Sequence, residues 1–248
     1  SNSKTLSFVI GFEEKSTLKK LPSLGFNPDH FNEVMTSGEM IWQSLFNEDY
    51  DEIKKLGKNC FHIFDENQIG GESFTKGLNK FEFVKNIDNS DFILGCTPFS
   101  NTKILDYVPI LDQSLKKNIP FLCANPDYET ITDKKKNNKN IFCMGAIAEL
   151  YRNMGGRVFL LGKPSKEIYL KSMKKVNVFK KTRVLAIGDS LHHDIKGALN
   201  FEIDSLLITS TGIHHDLFDK KNPIWDIDRS SLLNMDIKPT FICSEFVF

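Results

Sequence analysis

The sequence contains no long apolar segment and no excess of charge of one sign. A membrane-spanning helix needs about 18 consecutive apolar residues, and no run in the chain approaches that length. The apolar segment 6–12 is too short for a secretory signal and lacks a basic lead-in. Lysine plus arginine and aspartate plus glutamate both total 32, so the formal net charge is zero. This balance gives no electrostatic footprint for nucleic acid or an anionic membrane and favours an enzyme of small molecules.

The chain also lacks paired cysteines. Its cysteines are odd in number, widely spread and set in apolar surroundings; they are Cys60, Cys96, Cys123, Cys143 and Cys243. This pattern fits neither a disulfide framework nor the paired spacing of metal ligands. We therefore expect buried, reduced thiols and a cytoplasmic protein.

The regular alternation of segments in the C-terminal part predicts an α/β fold. Strands and helices alternate there, with strands at 157–161, 183–187 and 205–209, and helices at 165–175 and about 192–200. The strands are continuous apolar runs, as expected of a parallel sheet that helices cover on both faces. The run 239–243 is a candidate edge strand. A buried, doubly wound sheet is the expected result.

A second α/β unit is predicted upstream. Its elements are strand 91–95, helix 103–117, strand 120–124 and helix 141–154, which Gly155 and Gly156 end. The basic stretch 132–140 is interpreted as a solvated loop, with a substrate-approach lip as the alternative. A long helix is also expected from Lys4 to about Leu24, ended by Gly25.

Two charged residues stand at the carboxyl ends of successive predicted strands. Lys163 follows the strand that ends at Leu161, and Asp189 follows the next strand. In a right-handed parallel crossover these strand ends share one edge of the sheet, where open α/β folds bind ligands. A fixed cation and a carboxylate placed there suit a phosphate and a divalent metal. Singly, Lys163 can be a turn residue and Asp189 the cap of the helix that starts near Leu191.

Read in order, these phrases resemble the haloacid dehalogenase superfamily of phosphohydrolases. Ser1-Asn2, Lys163-Pro164, and Gly188-Asp189-Ser190 with Asp194 resemble its second, third and fourth motifs. The long interval between the second and third motifs resembles class IIA members, whose large α/β cap lies there; the matching phrases are 36–40, 124–127 and 145–148. The resemblance implies a Rossmann-like, doubly wound parallel core (residues 1–50 and 157–248) with an inserted α/β cap (residues 51–156).

The resemblance implies a role for each matched residue. The Ser1 hydroxyl and the Asn2 backbone N–H would hold a phosphate oxygen, and Lys163 would also bind phosphate, neutralise the developing charge and steady the nucleophilic carboxylate. Asp189 would be the Mg²⁺ ligand, because this ion prefers one or two carboxylates with waters and phosphate oxygens. Asp194 would orient a metal-bound water or the Lys163 ammonium.

For several of the candidate residues, a functional role and a purely structural role are both open. Asp194 also suits a helix start without any metal. Asn125 and Asp127 are candidates for a substrate or cap-closure role, or they form a plain Asn-Pro-Asp turn. His214, just past a strand end, is a candidate for substrate contact. The pairs 192–193 and 214–215 are interpreted as solvated or loop histidines, because adjacent side chains on a helix diverge by about 100°.

The superfamily's first motif, a strand ending in two aspartates separated by one residue, is absent from the chain; Asp226 and Asp228 lie in the wrong topological place. We interpret the chain as a fragment of a Mg²⁺-dependent phosphatase of a small cytoplasmic metabolite, such as a sugar phosphate or nucleotide. Its aspartyl nucleophile would lie upstream of Ser1, so the chain as given is expected to be inactive.

Two alternatives have different chemistry. One is a catalytically inactive relative that binds phosphate or a metabolite. The other, a dinucleotide-binding oxidoreductase, is disfavoured because no strand leads into a Gly-X-Gly-X-X-Gly turn. The expected partner is a small phosphate ester. No nucleic acid or membrane is expected as a partner, and a homodimer is a further candidate.

Overall fold

The computed structural model describes residues 6–8, 17–19, 21–66, 74–130, 141–210, 213 and 237–245. By its contacts the chain divides into two units. The first comprises Ser1–Thr130 and Asn140–Gly162, and the second comprises Ile131–Lys139 and Lys163–Phe248. This division places the first fifty residues in the first unit. The predicted assignment of residues 1–50 and 157–248 to one core and 51–156 to a cap stays a prediction.

The first unit is built on a five-stranded parallel sheet. Its strands along the chain are β3 (Asn59–Ile63), β4 (Glu82–Val84), β5 (Phe92–Gly95), β6 (Phe121–Cys123) and β9 (Val158–Phe159). Their spatial order is β4-β3-β5-β6-β9. Two smaller pairs accompany this sheet: parallel β1 (Leu6–Phe8) with β2 (Glu33–Met35), and antiparallel β7 (Glu129–Thr130) with β8 (Ile141–Phe142). The predicted α/β class is confirmed.

Helices cover both faces of the five-stranded sheet. They are α1 (Ser37–Asn47), the single turn α2 (Asp51–Lys54), α3 (Val108–Lys116) and α4 (Met144–Asn153). Two apolar clusters form the core. In the first cluster, strand residues such as Phe121 pack against α3 and α4, which contributes Tyr151. In the second cluster, strand residues such as Phe92 pack against α1, which contributes Leu45. This burial supplies the main favourable free energy of the unit.

Local signals explain where the helices begin and end. The Thr36 side chain accepts the N–H of Glu39 at 3.0 Å and so caps α1. Glu48 ends α1 in the left-handed conformation, with φ of 55°. Gly155 stands two residues after the end of α4 with φ of 97°, where the sequence predicted the stop. Part of the predicted helix 141–154 is strand β8, so α4 begins later than expected.

The second unit contains a three-stranded parallel sheet. Its strands are β10 (Leu185–Gly188), β11 (Asp204–Ile208) and β12 (Phe241–Cys243), in that order across the sheet. Helix α5 (Lys166–Lys175) precedes β10, and α6 (Lys196–Phe201) precedes β11. The predicted strand at 239–243 is therefore present as the edge strand β12. Short 3₁₀ turns complete the two units at Leu21–Leu24, Pro28–His30, Ile87–Asn89, Ile104–Tyr107 and Lys181–Arg183.

Three sequence expectations are wrong. The start of the predicted helix from Lys4 to Leu24 is a strand instead, since Leu6–Phe8 is β1 and pairs with β2, whereas residues 17–19 are helical. The strand around 157–161 is β9, which pairs with β6, so it does not share a sheet with β10. Leu185 and Ile187 on β10 are 45% and 42% exposed. β10 is therefore not buried on both faces.

Four of the five cysteines are buried and Cys243 is half-buried, as the apolar surroundings predicted. In the described part of the chain, none of the helices combines the length and apolar character needed to cross a membrane.

The half-buried imidazole of His62 gives the first unit a specific pH dependence. The ring lies on β3, stacks on Phe64 with 4.3 Å between centroids, and places Nε2 at 3.3 Å from the Cys96 sulfur. Burial lowers the pKa of His62 from 6.5 to about 4, and burial raises the pKa of the Cys96 thiol. The folded protein therefore holds a neutral imidazole beside a neutral thiol.

We predict that the free energy of unfolding decreases as pH falls from 6.5 to 4. In that window the unfolded chain binds a proton at His62 that the folded chain does not, which costs up to about 3 kcal/mol. His62→Gln should remove this part of the pH dependence. Urea denaturation at pH 7, 5.5 and 4.5 measures it, with His30→Gln, an exposed histidine, as control. A wild-type and His62→Gln difference that is constant with pH would contradict the assignment.

Candidate active site

The site is built around the turn that follows β10. The strand ends at Gly188, and Asp189 and Ser190 lead into a π-helical turn, Leu191–Ile195, and then into α6. The Ser190 side chain accepts the N–H of His193 at 3.2 Å and so caps the turn. This hydrogen bond holds the residues that follow β10 in one conformation.

Lys163 and Asp194 form a buried ion pair beside this turn. Their exposed fractions are 6% and 7%, and the Lys163 ammonium donates to Oδ1 of Asp194. The second oxygen, Oδ2, accepts the backbone N–H of Ser190 at 3.1 Å. One carboxylate therefore ties the ammonium to the turn that carries Asp189. Lys163 and Asp189 stand at the same end of β10, although β9 and β10 belong to different sheets.

Glycine is required at position 188 by this arrangement. A β-carbon at Gly188 would lie 2.2 Å from Cγ of Asp194, a distance that real side chains do not show. The close approach of strand and carboxylate therefore depends on the missing side chain. Tyr169 of α5 supports the same residue, since its hydroxyl donates to the backbone carbonyl of Asp194 at 3.3 Å.

The carboxylate of Asp189 is half-buried, and one of its two oxygens has a hydrogen-bond partner among the described residues. Oδ2 accepts the backbone N–H of Ile213 at 3.0 Å, and no described residue donates to Oδ1. No group of three Asp, Glu, His or Cys side chains suited to a metal ion occurs in the part of the chain that the structure describes. Because Mg²⁺ commonly takes one or two protein carboxylates and completes its shell with water and phosphate, Asp189 fits such an ion as one ligand.

His193 was not singled out by the sequence. It is 5% exposed, and its Nδ1 lies 2.9 Å from Oγ of Ser190. The expectation of a solvated or loop histidine is wrong for His193, because the π-helical turn folds the ring back onto the capping serine. His192 is exposed as expected. The three-residue spacing between Ser190 and His193 was the signal that could have found this pair.

Asn125 and Asp127 lie in the first unit, after β6. The Asn-Pro-Asp segment packs on the start of α4, where Gly145 donates its N–H to the Asp127 carbonyl at 2.9 Å. A β-carbon at Gly145 would lie 2.0 Å from the Pro126 carbonyl oxygen. The segment is thus a tightly packed turn, and its substrate or cap-closure role stays a prediction. Ser1, Asn2 and His214 lie outside the described residues.

The chain is similar to one family model and to several solved structures. Residues 160–246 match the family model described as HAD-hydrolase-like. A haloacid dehalogenase-like family hydrolase from Brucella suis 1330 is 25% identical, with a TM-score of 0.76 over 98% of this chain and 83% of that chain. No curated protein matches the sequence.

Two further solved structures share the fold at lower identity. The p-nitrophenyl phosphatase from Archaeoglobus fulgidus is 17% identical, with a TM-score of 0.61 over 94% of this chain and 79% of that chain. The glycerol phosphate phosphatase from Mycobacterium tuberculosis in complex with magnesium is 16% identical, with a TM-score of 0.62 over 98% of this chain and 65% of that chain. The latter protein has also been solved in complex with calcium.

The buried ion pair makes a testable contribution to stability. We predict that Lys163→Met lowers the free energy of unfolding by about 3–5 kcal/mol, because it leaves the Asp194 carboxylate buried without a positive charge beside it. The double variant with Asp194→Leu should recover a large part of this loss. Urea denaturation of both singles and the double measures the coupling.

A matched control uses an exposed ion pair. Lys116 and Asp112 are 73% and 49% exposed in their side chains, so Lys116→Met should cost less than about 1 kcal/mol. Equal losses for Lys163→Met and Lys116→Met would show that the pair is not buried as described.

Proposed function

We propose that the chain is part of a phosphatase of the haloacid dehalogenase-like hydrolases, which hydrolyses phosphate monoesters of a small metabolite, because residues 160–246 match that family's model. The observation that carries the proposal is the Lys163–Asp194 pair held against the turn of Asp189. A cation and a carboxylate fixed at one strand end are what phosphoryl transfer needs, since its catalysis is chiefly positioning and charge stabilisation.

Lys163 is the phosphate-binding cation in this proposal. Asp194 fixes the direction of its ammonium, so little reorganisation is needed when charge develops on the phosphoryl oxygens. Because Lys163 is almost fully buried, its charge acts in surroundings of low dielectric constant, where it stabilises an anion more than it would in water. Ser1 and Asn2 are proposed to hold the same phosphate through a hydroxyl and an N–H.

Asp189 is proposed as the Mg²⁺ ligand. The N–H of Ile213 fixes one carboxylate oxygen, which orients the other as a metal ligand. When bound, Mg²⁺ would supply positive charge to the phosphoryl oxygens. The remaining ligands would be water, phosphate and groups outside the described residues. Asp194 acts through Lys163 and is a positioning residue.

The reaction also needs a nucleophile. We propose an aspartate N-terminal to Ser1, in the order of the superfamily's motifs, which would attack the phosphorus and form an aspartyl-phosphate. Asn125, Asp127 and His214 are proposed as substrate residues, and residues 51–156 are proposed as the cap. The substrate proposed is a cytoplasmic sugar phosphate or nucleotide.

The test is hydrolysis of p-nitrophenyl phosphate by protein expressed from the complete gene. We expect turnover that requires a divalent metal and is best supported by Mg²⁺. Asp189→Asn should lower kcat by about 100-fold or more, in the range found when one preorganised electrostatic group is removed. Asp204→Asn, an exposed aspartate on β11, is the control and should retain full turnover.

The 248-residue chain should show no turnover with any metal. Equal activity of Asp189→Asn and the control would remove Asp189 from the metal site. Absence of turnover from the complete gene product, with inorganic phosphate still bound and lost in Lys163→Met, would instead support a phosphate-binding relative without catalysis.

A further inference from the structure

The even charge of the whole chain conceals one strongly basic segment. Residues 166–183 form α5 and the stretch that leads into β10, and they contain seven lysine or arginine residues and one acidic residue, Glu167. A concentration of one sign of charge creates a local potential even where the net charge of a protein is zero. Four of the basic residues are exposed and form no ion pair with another described residue; they are Lys166, Lys174, Lys180 and Arg183.

The acidic residues beside this segment do not neutralise it. Glu167 accepts the hydroxyl of Ser165. Glu202 forms an ion pair with Lys181, with 3.2 Å between Oε2 and Nζ. Asp204 is exposed at the start of β11. The basic residues outnumber these three carboxylates, so the surface of residues 166–183 keeps a net positive charge.

Two large apolar side chains protrude from the same surface. Phe179 is 78% exposed and Leu170 is 58% exposed, and among the described residues only Leu105, at 73%, is comparable. Leu170 stands four residues after Lys166 and four before Lys174, a spacing that places the three side chains on one outward line of α5. The surface of residues 166–183 therefore combines positive charge with apolar area that the fold leaves in water.

The end of α5 fixes the position of Phe179. Asn177 adopts the left-handed conformation with φ of 54°. Its N–H donates to the Lys174 carbonyl at 3.1 Å, and the N–H of Val178 donates to the Met173 carbonyl at 2.9 Å. This hydrogen-bond pattern is a common end of a helix and turns the chain back against the last turn. Phe179 is therefore held next to the basic end of α5.

The surface of residues 166–183 and the candidate active site flank opposite ends of β10. The segment 177–183 leads to the amino end of the strand at Leu185, whereas Asp189 follows its carboxyl end. A rise of about 3.3 Å per residue separates these two positions by about 13 Å. A partner bound at the amino end would leave the strand end that carries Asp189 uncovered.

We propose that the second unit docks on an anionic lipid bilayer through the surface of residues 166–183. The basic side chains lie over anionic headgroups, and Phe179 and Leu170 enter the interface between the headgroups and the hydrocarbon. Basic clusters on amphipathic helices bind anionic membranes in this way, and apolar side chains strengthen the binding. Single-stranded nucleic acid would stack its bases on aromatic rings, which Leu170 does not offer, whereas hydrocarbon accepts both side chains.

The test is co-sedimentation of the 248-residue chain with vesicles of phosphatidylcholine, with and without about one third phosphatidylglycerol. We expect binding to the anionic vesicles that decreases steeply with salt, because salt screens exposed charges. The double variant Lys174→Gln, Lys180→Gln should weaken binding about 25-fold, since each basic residue near an anionic surface contributes about fivefold. The control carries the same change of charge at Lys54→Gln and Lys116→Gln, whose side chains are 56% and 73% exposed, and should bind normally.

The apolar contribution has its own variants. Phe179→Ser should fold, because the side chain is exposed, and should weaken vesicle binding about tenfold through lost apolar burial. Leu105→Ser, at a residue of similar exposure in the first unit, should not weaken it. Phe179→Trp should add an emission component that shifts to shorter wavelength when anionic vesicles are present, after subtraction of the wild-type spectrum.

Three results would overturn the proposal. Equal losses for the two lysine pairs would show an effect of total charge, and an unshifted emission of Phe179→Trp would show that the residue stays in water. Absence of vesicle binding, with a single-stranded oligonucleotide bound instead and weakened by Phe179→Ser, would assign the surface to nucleic acid. None of these measurements uses the p-nitrophenyl phosphate assay, so the two proposals fail separately.

Discussion

The second unit depends on one buried ion pair. An ammonium and a carboxylate that are both more than nine-tenths buried must stay together, because an unpaired charge in such surroundings costs several kcal/mol. Lys163 and Asp194 meet this condition, and Asp194 also binds the backbone of Ser190. The pair therefore fixes the residues before α5, the turn after β10 and the π-helical turn relative to each other. A glycine at 188 is the steric consequence.

This constraint also holds Asp189, the proposed metal ligand, in place through its neighbours. Its two chain neighbours are locked, one by steric contact with Asp194 and the other by a hydrogen bond to it. Its own carboxylate is half-buried and, among the described residues, accepts the N–H of Ile213. A side chain whose neighbours are rigid is preorganised, and it can still bind a ligand when its own polar atoms are not all used in the fold. His193 is held in the same turn, since its ring lies within hydrogen-bonding distance of the Ser190 hydroxyl.

Local features of the sequence predicted local features of the structure. Ser165 caps α5, Gly155 follows α4 in a left-handed conformation, and the alternation of strands and helices is present. Strand pairing was not predictable in the same way. An apolar run shows that a strand is buried but not which strand lies beside it, so β9 and β10 were assigned to one sheet. Leu6–Phe8 forms a strand because β2 is available as a partner, which is a tertiary effect that overrides local propensity.

Two sets of polar residues at the carboxyl ends of strands differ in how a sequence reveals them. Lys163 and Asp189 are charged residues in short phrases with glycine, so they stand out before any fold is known. Asp65, Thr97 and Asn125 are spread over sixty residues, and only the register of β3, β5 and β6 aligns them. Both sets lie just beyond strand ends, where the hydrogen-bonding ladder stops and backbone groups need side-chain partners. The carboxyl edge of a parallel sheet therefore collects polar side chains for a structural reason.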